Sequence, residues 1–258
     1  MPWTALLLAG QRPGTDPLAA HFGETWKALV SVNGEPMVSR VARTLLASPS
    51  IERVVVLAQD PAALIARPDT EWLANEPRLS FTSSIASISQ SVAAVAGELA
   101  PWPVLVTTAD HVLLTPAMVE EFVGAVGDAD VAVALVESEN LLGRYPGNKR
   151  TWLRFRGGAY SGANLFALTG PRARAALDLW AGVEQDRKKG WKLVAAFGPM
   201  LLLRALTRTI TLAGGLEAAG QRLGLAARPV VLSQPEAAID VDKPADHGLA
   251  EAILSARS

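Results

Sequence analysis

The chain has 258 residues; 50% of them are hydrophobic and 19% are charged, and its 24 basic and 25 acidic residues leave a net charge of −1. This length and hydrophobic content can bury a substantial core, so the composition excludes a disordered chain. The near-neutral balance argues against a nucleic-acid partner. The absence of cysteine excludes disulfides, cysteine-ligated zinc and thiol catalysis.

No apolar segment is both long enough and continuous enough to predict a membrane span. The nearest candidate, residues 193–206, is interrupted by Gly198 and Pro199 and contains Arg204. The N-terminus carries no basic residue before its short apolar run, unlike a signal peptide. We therefore expect a soluble, cytoplasmic protein. The basic run at residues 186–192 would allow peripheral membrane contact, but a solvated helix end is the simpler explanation.

Short apolar runs alternate with helical patterns along most of the chain. Strands are predicted at residues 5–9, 53–58, 78–81, 104–108, 131–136, 163–168 and 229–232. Helices are predicted at residues 37–46, 62–66, 87–99, 116–126, 172–180 and 244–255, and Thr115-Pro116 is a typical helix start. Continuous apolar runs such as residues 54–57 are typical of strands covered on both faces. The pattern predicts a doubly wound α/β fold with a mostly parallel sheet.

We expect residues 1–258 to form one domain, since no repeat or clear linker interrupts the chain. Residues 141–160 are rich in Gly, Arg and Lys, and we expect a loop or hairpin over the sheet. Residues 171–227 are predicted to be mostly helical, forming an insertion or lid before the last strand. Ligands of open α/β sheets bind at the carboxyl ends of the strands, so the residues that follow the predicted strands are the functional candidates.

The first predicted strand ends in Leu8-Ala9-Gly10, and Arg12, Lys27 and Gly34-Glu35-Pro36-Met37 follow it. In these residues the chain resembles the MobA-like nucleotidyltransferases, a group that includes molybdenum-cofactor guanylyltransferase, methylerythritol-phosphate cytidylyltransferase and sugar-phosphate pyrophosphorylases. The resemblance implies a Rossmann-like fold of the nucleotide-diphospho-sugar transferase type. It also implies that Leu8, Ala9, Gly10 and Gln11 bind the nucleotide, while Arg12 and Lys27 are catalytic cations that neutralise the triphosphate.

Two features of this loop depart from the family pattern. Gln11 stands where the family has a second glycine, and the segment from Arg12 to Lys27 is longer than usual. We therefore expect a differently shaped phosphate loop, in which Lys27 is a safer assignment than any inserted residue. A Gly-rich turn that merely ends an ordinary strand is the alternative interpretation of this segment.

Asp110 follows the predicted central strand, and a capped helix begins a few residues later. In the family this pattern supplies the aspartate that binds the Mg²⁺ bridging the nucleotide phosphates, and Mg²⁺ prefers one or two carboxylates together with phosphate oxygens and water. The alternative is that Asp110 only caps the next helix, although Thr115 already has that role. We expect His111 to pack or hydrogen-bond rather than to catalyse.

A second acidic element lies before the last helix. Asp240-Val241-Asp242-Lys243-Pro244 resembles the late family element that completes the metal site, with Lys243 in place of Thr. We expect one of the two aspartates to face the metal, with Asp240 preferred over Asp242. Asp246 is expected to stabilise the helix dipole. An acidic helix N-terminus without a metal is the simpler alternative.

Two further segments complete the predicted site. Ser83, Ser84 and Ser87 lie between a strand and a helix, and the resemblance places them against the base and ribose, although N-capping explains serines there equally well. Gly162 and Asn164 resemble the strand that lines the acceptor pocket. Lys149 and Arg150 belong to a nearby basic group that would hold an acceptor phosphate; a solvated hairpin is the alternative.

The sequence thus predicts a Mg²⁺-dependent nucleotidyltransferase. Its substrates would be CTP, GTP or UTP and a small phosphorylated acceptor: a sugar, polyol or cofactor phosphate. The acidic element and the serines slightly favour cytidylyl transfer to a polyol or sugar phosphate. Two alternatives are a glycosyltransferase that uses a nucleotide sugar, with Asp240 and Asp242 as its metal motif, and a non-catalytic nucleotide-binding protein, which the change at Gln11 leaves open.

Overall fold

An eight-stranded sheet forms the centre of the protein; the computed structural model describes residues 1–11, 14–85, 87–185 and 198–257. The strands in these ranges are β1 (Trp3–Leu8), β2 (Ser31–Val32), β3 (Glu35–Pro36), β4 (Ile51–Ala58), β5 (Leu79–Ser83), β6 (Val104–Thr108), β7 (Val131–Glu137), β8 (Leu153–Phe155), β9 (Gly158–Leu168) and β10 (Ala227–Val231). Strands β2 and β3 form a separate antiparallel pair.

The order of strands across the sheet is β10-β7-β9-β6-β1-β4-β5, and β8 pairs with β9 beside this path. Strand β9 runs antiparallel to β6, β7 and β8, whereas the pairs β1–β4, β1–β6, β4–β5 and β7–β10 are parallel. The prediction of a mostly parallel sheet is therefore confirmed. β1 lies between β4 and β6, which places its carboxyl end in the middle of the sheet edge where ligands bind in such folds.

The α-helices connect the strands. Within the described ranges they are α1 (Pro17–His21), α2 (Met37–Ala47), α3 (Pro61–Ile65), α4 (Trp72–Asn75), α5 (Ile88–Val95), α6 (Pro116–Val126), α7 (Ser138–Arg144), α8 (Arg174–Gln185), α9 (Pro199–Leu206), α10 (Leu212–Leu223) and α11 (Pro244–Ser255). Short 3₁₀ helices occur at Lys27–Leu29, Pro171–Ala173 and Pro235–Ala238. Each described helix is too short or too polar to pass through a lipid bilayer.

Both faces of the sheet are buried, as the continuous apolar strands predict. Leu7 of β1 belongs to the core shared with α2, α6 and α11, whereas its neighbour Leu6 belongs to the core shared with α5 and α8. Both leucines are 0% exposed. Alternate residues of a strand point to opposite faces, so helices cover the sheet from both sides. Burying one such leucine stabilises the fold by roughly 1.5–3 kcal/mol.

Several element boundaries differ from those predicted. The helix predicted at residues 87–99 ends at Val95, because the chain turns at Gly97, which has a φ of +83°. Residues 141–160 contain the predicted hairpin, formed by β8 and β9, but also the end of α7. The long segment before Lys27 contains the short helix α1, which was not predicted because the segment has no hydrophobic periodicity.

The region predicted to be mostly helical contains α8, α9 and α10 in its described part, and β10 follows it. Residues 186–197, which include the whole basic run at residues 186–192 and the start of the apolar segment at residues 193–206, lie outside the described residues. The helix start predicted at Thr115-Pro116 is observed. The Thr115 Oγ1 accepts a hydrogen bond from the Met118 N–H at 3.2 Å, so Thr115 is the N-cap of α6.

Candidate active site

The carboxyl ends of β1, β4 and β6 lie side by side and form the floor of the candidate site. Leu8 pairs in register with Leu57 on one side and with Thr108 on the other. The chain continues these pairings beyond the strands, because the Ala9 N–H donates to the Leu57 carbonyl and the Ala109 N–H donates to the Leu8 carbonyl, both at 2.9 Å. The sheet therefore brings the opening loop and Asp110 to the same edge.

A cavity of about 800 Å³ opens at this edge. The lining includes the predicted catalytic residue Lys27 and most of the residues predicted to bind nucleotide or metal: Leu8, Gly10, Gln11, Ser84, Ser87, Asp110 and Asp242. Of the remaining predicted nucleotide-binding residues, Ala9 is buried beneath the loop and Ser83 is exposed at the end of β5. Arg12 lies outside the described residues, so its predicted catalytic role stays a prediction.

Lys27 lies between two of the predicted metal-binding aspartates. Its Nζ donates to Asp110 Oδ2 at 2.6 Å and also to Asp242 Oδ1. The Lys27 and Asp110 side chains are only 14% and 18% exposed, whereas that of Asp242 is 54% exposed. On the other side of Asp110, the Thr108 hydroxyl donates to Oδ1 at 2.5 Å. The three charged groups, far apart in sequence, converge at one point of the cavity wall.

The charges of this cluster are mutually stabilising. Burial by itself would lower the pKa of Lys27, but the attraction and hydrogen bonds of Asp110 and Asp242 outweigh it, so the pKa of the ammonium group is raised above its usual value. Lys27 is therefore a permanent cation at neutral pH. Its position facing the loop suits the neutralisation of a polyphosphate.

The pair formed by Asp110 and Asp242 fits a magnesium ion in its donor chemistry. One carboxylate oxygen of each aspartate lies within hydrogen-bonding distance of the Lys27 Nζ. The two carboxylates are therefore close enough together to contact one cation. Mg²⁺ binds through one or two carboxylates and takes phosphate oxygens and water as its other ligands. Within the described ranges, no cluster of three His, Cys, Asp or Glu side chains is arranged to hold a metal.

Asp240, which we preferred over Asp242 in the sequence analysis as the metal-binding aspartate, has different partners from Asp242, and that preference stays a prediction. Its carboxylate accepts hydrogen bonds from Arg150 Nη1 and, at 3.2 Å, from Asn164 Nδ2. Burial raises the pKa of Asp240, and the nearby carboxylates of Asp110 and Asp242 add to this effect against the opposing attraction of Arg150. Residues 239–243 are not part of the sheet, so the alternation of a regular strand does not decide which side chain faces Asp110.

Two of the four predicted acceptor residues, Arg150 and Asn164, contact the Asp240 carboxylate. Arg150 is 11% exposed and is engaged by Asp240 and, at 3.5 Å, by Asp246. Asn164 has a φ of +47° at a point where the register between β7 and β9 shifts, and this bulge directs its amide to Asp240. Lys149 and Gly162 are exposed. Arg150 and Asn164 thus fix the position of the Asp240 carboxylate by hydrogen bonds.

Two neighbours of the aspartates have structural contacts that agree with the expectations. Asp246 accepts a hydrogen bond from the Lys243 N–H at 3.1 Å at the start of α11. His111 is 1% exposed, and its Nδ1 lies 3.3 Å from the Thr107 hydroxyl. Burial lowers the pKa of His111 to about 4, so the imidazole is neutral at physiological pH and packs beneath the site.

Similarity to known proteins agrees with this geometry. The chain matches the sequence model of the MobA-like NTP transferase domain over residues 5–197. The chain belongs to the MobA-like NTP transferase family. The resemblance in the opening loop is thereby confirmed, and this family membership makes the protein a nucleotidyltransferase. No protein of curated function gives a significant sequence match.

Solved structures share the fold of this MobA-like transferase. A hypothetical transferase from Thermus thermophilus is 30% identical with a TM-score of 0.79, and the match covers 96% of this chain and all (100%) of that one. CMP:2-keto-3-deoxy-manno-octonic acid synthetase in complex with CTP is 14% identical with a TM-score of 0.60, covering 99% and 100% of the two chains. 2-C-methyl-D-erythritol 4-phosphate cytidylyltransferase, also from Thermus thermophilus, is 15% identical with a TM-score of 0.54, and the match covers 99% of this chain and 100% of that one. The last two likenesses concern the fold alone, and they confirm the nucleotide-diphospho-sugar transferase type.

The cavity of this MobA-like transferase also includes residues that the motifs did not single out. Gln59 directly follows β4, and the strand-end rule would have found it had it been applied to that strand. Residues 15–17, at the start of helix α1, which was not predicted, form another part of the cavity wall. Ile85 and Ile88 line the cavity beside the serines although they are 55% and 47% exposed. They belong to the same segment as the predicted serines, but only the serines were predicted as site residues.

Proposed function

We propose that this MobA-like transferase moves a nucleoside monophosphate from an NTP to a small phosphorylated acceptor and releases pyrophosphate. The observation that carries the proposal is the Lys27 ammonium held between Asp110 and Asp242 on the wall of the cavity. Two carboxylates and a lysine at the mouth of a glycine-containing loop are suited to a metal-bound triphosphate. The acceptor class is a sugar, polyol or cofactor phosphate.

The reaction would be an in-line displacement at the α-phosphorus of the NTP. An oxygen of the acceptor phosphate forms the new bond, and the bond from the α-phosphorus to the bridging oxygen of the leaving pyrophosphate breaks. A phosphate monoester is already ionised at pH 7, with a second pKa of about 6, so the step needs no strong general base. This agrees with a site in which the imidazole next to Asp110, that of His111, is buried and neutral.

The catalytic contribution of the chain is then positioning and charge neutralisation. Asp110 and Asp242 would hold Mg²⁺, which when bound supplies positive charge to the phosphate oxygens. Lys27, released from the aspartates, would stabilise the charge on the α-phosphate and the departing pyrophosphate. We retain the same role for Arg12 as an expectation from the family.

The rest of the cavity suits a nucleoside. Ser84 and Ser87 offer hydroxyl groups, and Ile85 and Ile88 offer an apolar surface against which a base can pack. The Ser87 Oγ also accepts a hydrogen bond from the Gln90 N–H at 3.3 Å, so it caps α5 while facing the cavity. CTP, GTP and UTP are the candidate nucleotides, and CTP is the first to test because the sequence slightly favours cytidylyl transfer.

A pyrophosphate-release screen tests the proposal. Four NTPs are combined with a panel of phosphorylated sugars, polyols and cofactor precursors in the presence of Mg²⁺, and the active pair is then assayed with chelator and with variants. Asp110→Ala should lower turnover roughly 10³-fold while the fold persists. The matched control is Asp128→Ala. The Asp128 side chain is 92% exposed and does not line the cavity, so this variant should retain activity. Near-normal turnover of Asp110→Ala would contradict the site assignment.

The same screen separates the alternatives. A glycosyltransferase would consume a nucleotide sugar and would release no pyrophosphate from an NTP. A non-catalytic relative would bind a nucleotide without turnover with any acceptor. Either result would replace the proposed reaction.

A further inference from the structure

Gln11 replaces the second glycine of the family loop, and its side chain binds the backbone at both ends of the long segment that follows. The Nε2 donates to the carbonyl oxygens of Gly14 at 3.4 Å and Thr25 at 3.2 Å. The Oε1 accepts a hydrogen bond from the Lys27 N–H at 2.8 Å. One carboxamide thus joins the beginning of the segment to the residue that carries the catalytic ammonium.

The backbone of Gln11 is itself fastened to the sheet by Gln59. The Gln11 N–H donates to Gln59 Oε1 at 3.1 Å, and Gln59 Nε2 donates to the Gln11 carbonyl at 2.5 Å. Gln59 follows β4 directly, so the second carboxamide links the loop to a buried strand. The preceding glycine leaves room for this approach, because a Cβ at Gly10 would make a tight contact of 3.0 Å with the Gln59 carboxamide oxygen.

These contacts form a chain from the sheet to Lys27: β4 positions Gln59, Gln59 holds the Gln11 backbone, and the Gln11 side chain holds the Lys27 backbone. Lys27 begins a short 3₁₀ helix whose next residues, Ala28 and Leu29, are buried in the core. Its backbone is therefore held from both directions, and its ammonium reaches Asp110 and Asp242.

We infer that Gln11 and Gln59 are positioning residues that hold Lys27 in place opposite the two aspartates. The inference deepens the proposed function and rests on it for the role of Lys27. It explains both departures from the family loop together: the longer segment needs a tie, and a glutamine in the place of a glycine supplies it. The Gln11 N–H is bonded to Gln59, so this donor is not free to bind phosphate and the positive charge of the loop comes through Lys27 instead.

The consequence for catalysis is a specific split between binding and turnover. Without the carboxamide of Gln11, the Lys27 backbone loses one of its supports, and a displacement of about 1 Å at a catalytic group can cost 10²-fold in rate. Gln11→Ala should therefore lower kcat about 10²-fold while the KM for the NTP changes less than about 3-fold, because most of the cavity wall is unchanged.

A double-mutant cycle tests whether Gln11 acts through Lys27. Gln11→Ala, Lys27→Met and the double variant are compared in the pyrophosphate-release assay. If Gln11 positions Lys27, Gln11→Ala should lower kcat strongly in the native background and less than about 2-fold where Lys27 is already absent. Gln59→Ala should show the same dependence with a smaller loss. Gln221→Ala, at an exposed glutamine of α10, is the matched control.

A second measurement does not depend on turnover. Lys27 is 14% exposed and held by two carboxylates, so amine acetylation followed by peptide mass spectrometry should modify it slowly compared with exposed Lys149. Gln11→Ala should raise the Lys27 labelling rate at least about 3-fold relative to Lys149, and Gln221→Ala should not. Gln11→Glu keeps the acceptor for the Lys27 N–H but loses the hydrogen bonds that Nε2 donates to Gly14 and Thr25. Its Lys27 labelling rate should therefore lie between those of the native protein and Gln11→Ala. It is the variant to use if Gln11→Ala does not fold.

Unchanged Lys27 labelling in the folded Gln11 variant would overturn the positioning role, whatever the enzyme's reaction proves to be. Equal kcat losses in the native and Lys27→Met backgrounds would overturn it as well. Absence of turnover by the native protein with every nucleotide and acceptor would instead contradict the proposed function, and increased labelling in Gln11→Ala would still support the positioning of Lys27.

Discussion

Removal of the Lys27 ammonium should expose the cation-binding character of the two aspartates. Lys27→Met keeps an unbranched side chain of similar length and deletes the charge that Asp110 and Asp242 share. Asp110 is 18% exposed, so it would be left largely buried without its cation. Breaking a buried ion pair in this way costs about 3–5 kcal/mol, whereas the half-exposed Asp242 adds little. We expect the variant to be about 3 kcal/mol less stable than the native protein at neutral pH without divalent ions.

A divalent cation should then recover much of this loss. If Mn²⁺ binds between the freed carboxylates, a concentration 100 times the dissociation constant stabilises the folded state by about 2.7 kcal/mol. In the native protein the Lys27 ammonium competes for the same oxygens, so Mn²⁺ alone should stabilise it by less than about 0.5 kcal/mol at that concentration. Urea unfolding with and without Mn²⁺ measures the difference, and electron paramagnetic resonance of free Mn²⁺ measures binding directly.

The exposed Lys149→Met provides the control for loss of a lysine, and it should behave like the native protein. Adding Asp110→Asn to Lys27→Met should abolish the gain from Mn²⁺ because one of the two ligands loses its charge. Equal stabilisation of the native protein and of Lys27→Met by Mn²⁺ would refute the reasoning, since it would show that Lys27 does not occupy the position of the cation.

Two further predictions concern the neighbouring residues. Asp242→Asn should lower turnover at least about 10-fold more than Asp240→Asn, because Asp242 shares Lys27 with Asp110 whereas Asp240 is held by Arg150 and Asn164. Steady-state kinetics measure the two losses, and a larger loss in Asp240→Asn would support the sequence-based preference for Asp240. The second concerns acid stability: His111 has its pKa lowered by burial to about 4, below the unfolded value of 6.5, so protonation favours the unfolded chain. Protonation of His111 does not affect the free energy of unfolding above about pH 6.5, and it lowers that free energy by roughly 3 kcal/mol as the pH falls to about 4. Urea unfolding at pH 7 and 4.5 should therefore show a shallower loss in His111→Leu than in the native protein or in the exposed control His21→Leu, and parallel losses in all three would contradict this origin.

Local sequence determined most of the elements and several of the candidate residues. The strand at Val104–Thr108 and the helix at Pro116–Val126 have the predicted boundaries, because a continuous apolar run and a Thr-Pro start are signals contained within a few residues. The position of Asp110 at the end of a central strand followed from the same run. The helix α1 was missed because its five residues are too few to show a hydrophobic period, although Asp16-Pro17 is a helix start of the same kind as Thr115-Pro116.

The partners of the charged residues were decided by the tertiary structure alone. Lys27 is separated by 83 residues from Asp110 and by 215 from Asp242, and the sheet order brings all three to one edge. The contacts that hold the Asp240 carboxylate depend on Arg150 and on the bulge at Asn164, which no local pattern reports. A sequence names the residue types that a reaction needs, but electrostatic pairing acts through space, and only the folded backbone sets those distances.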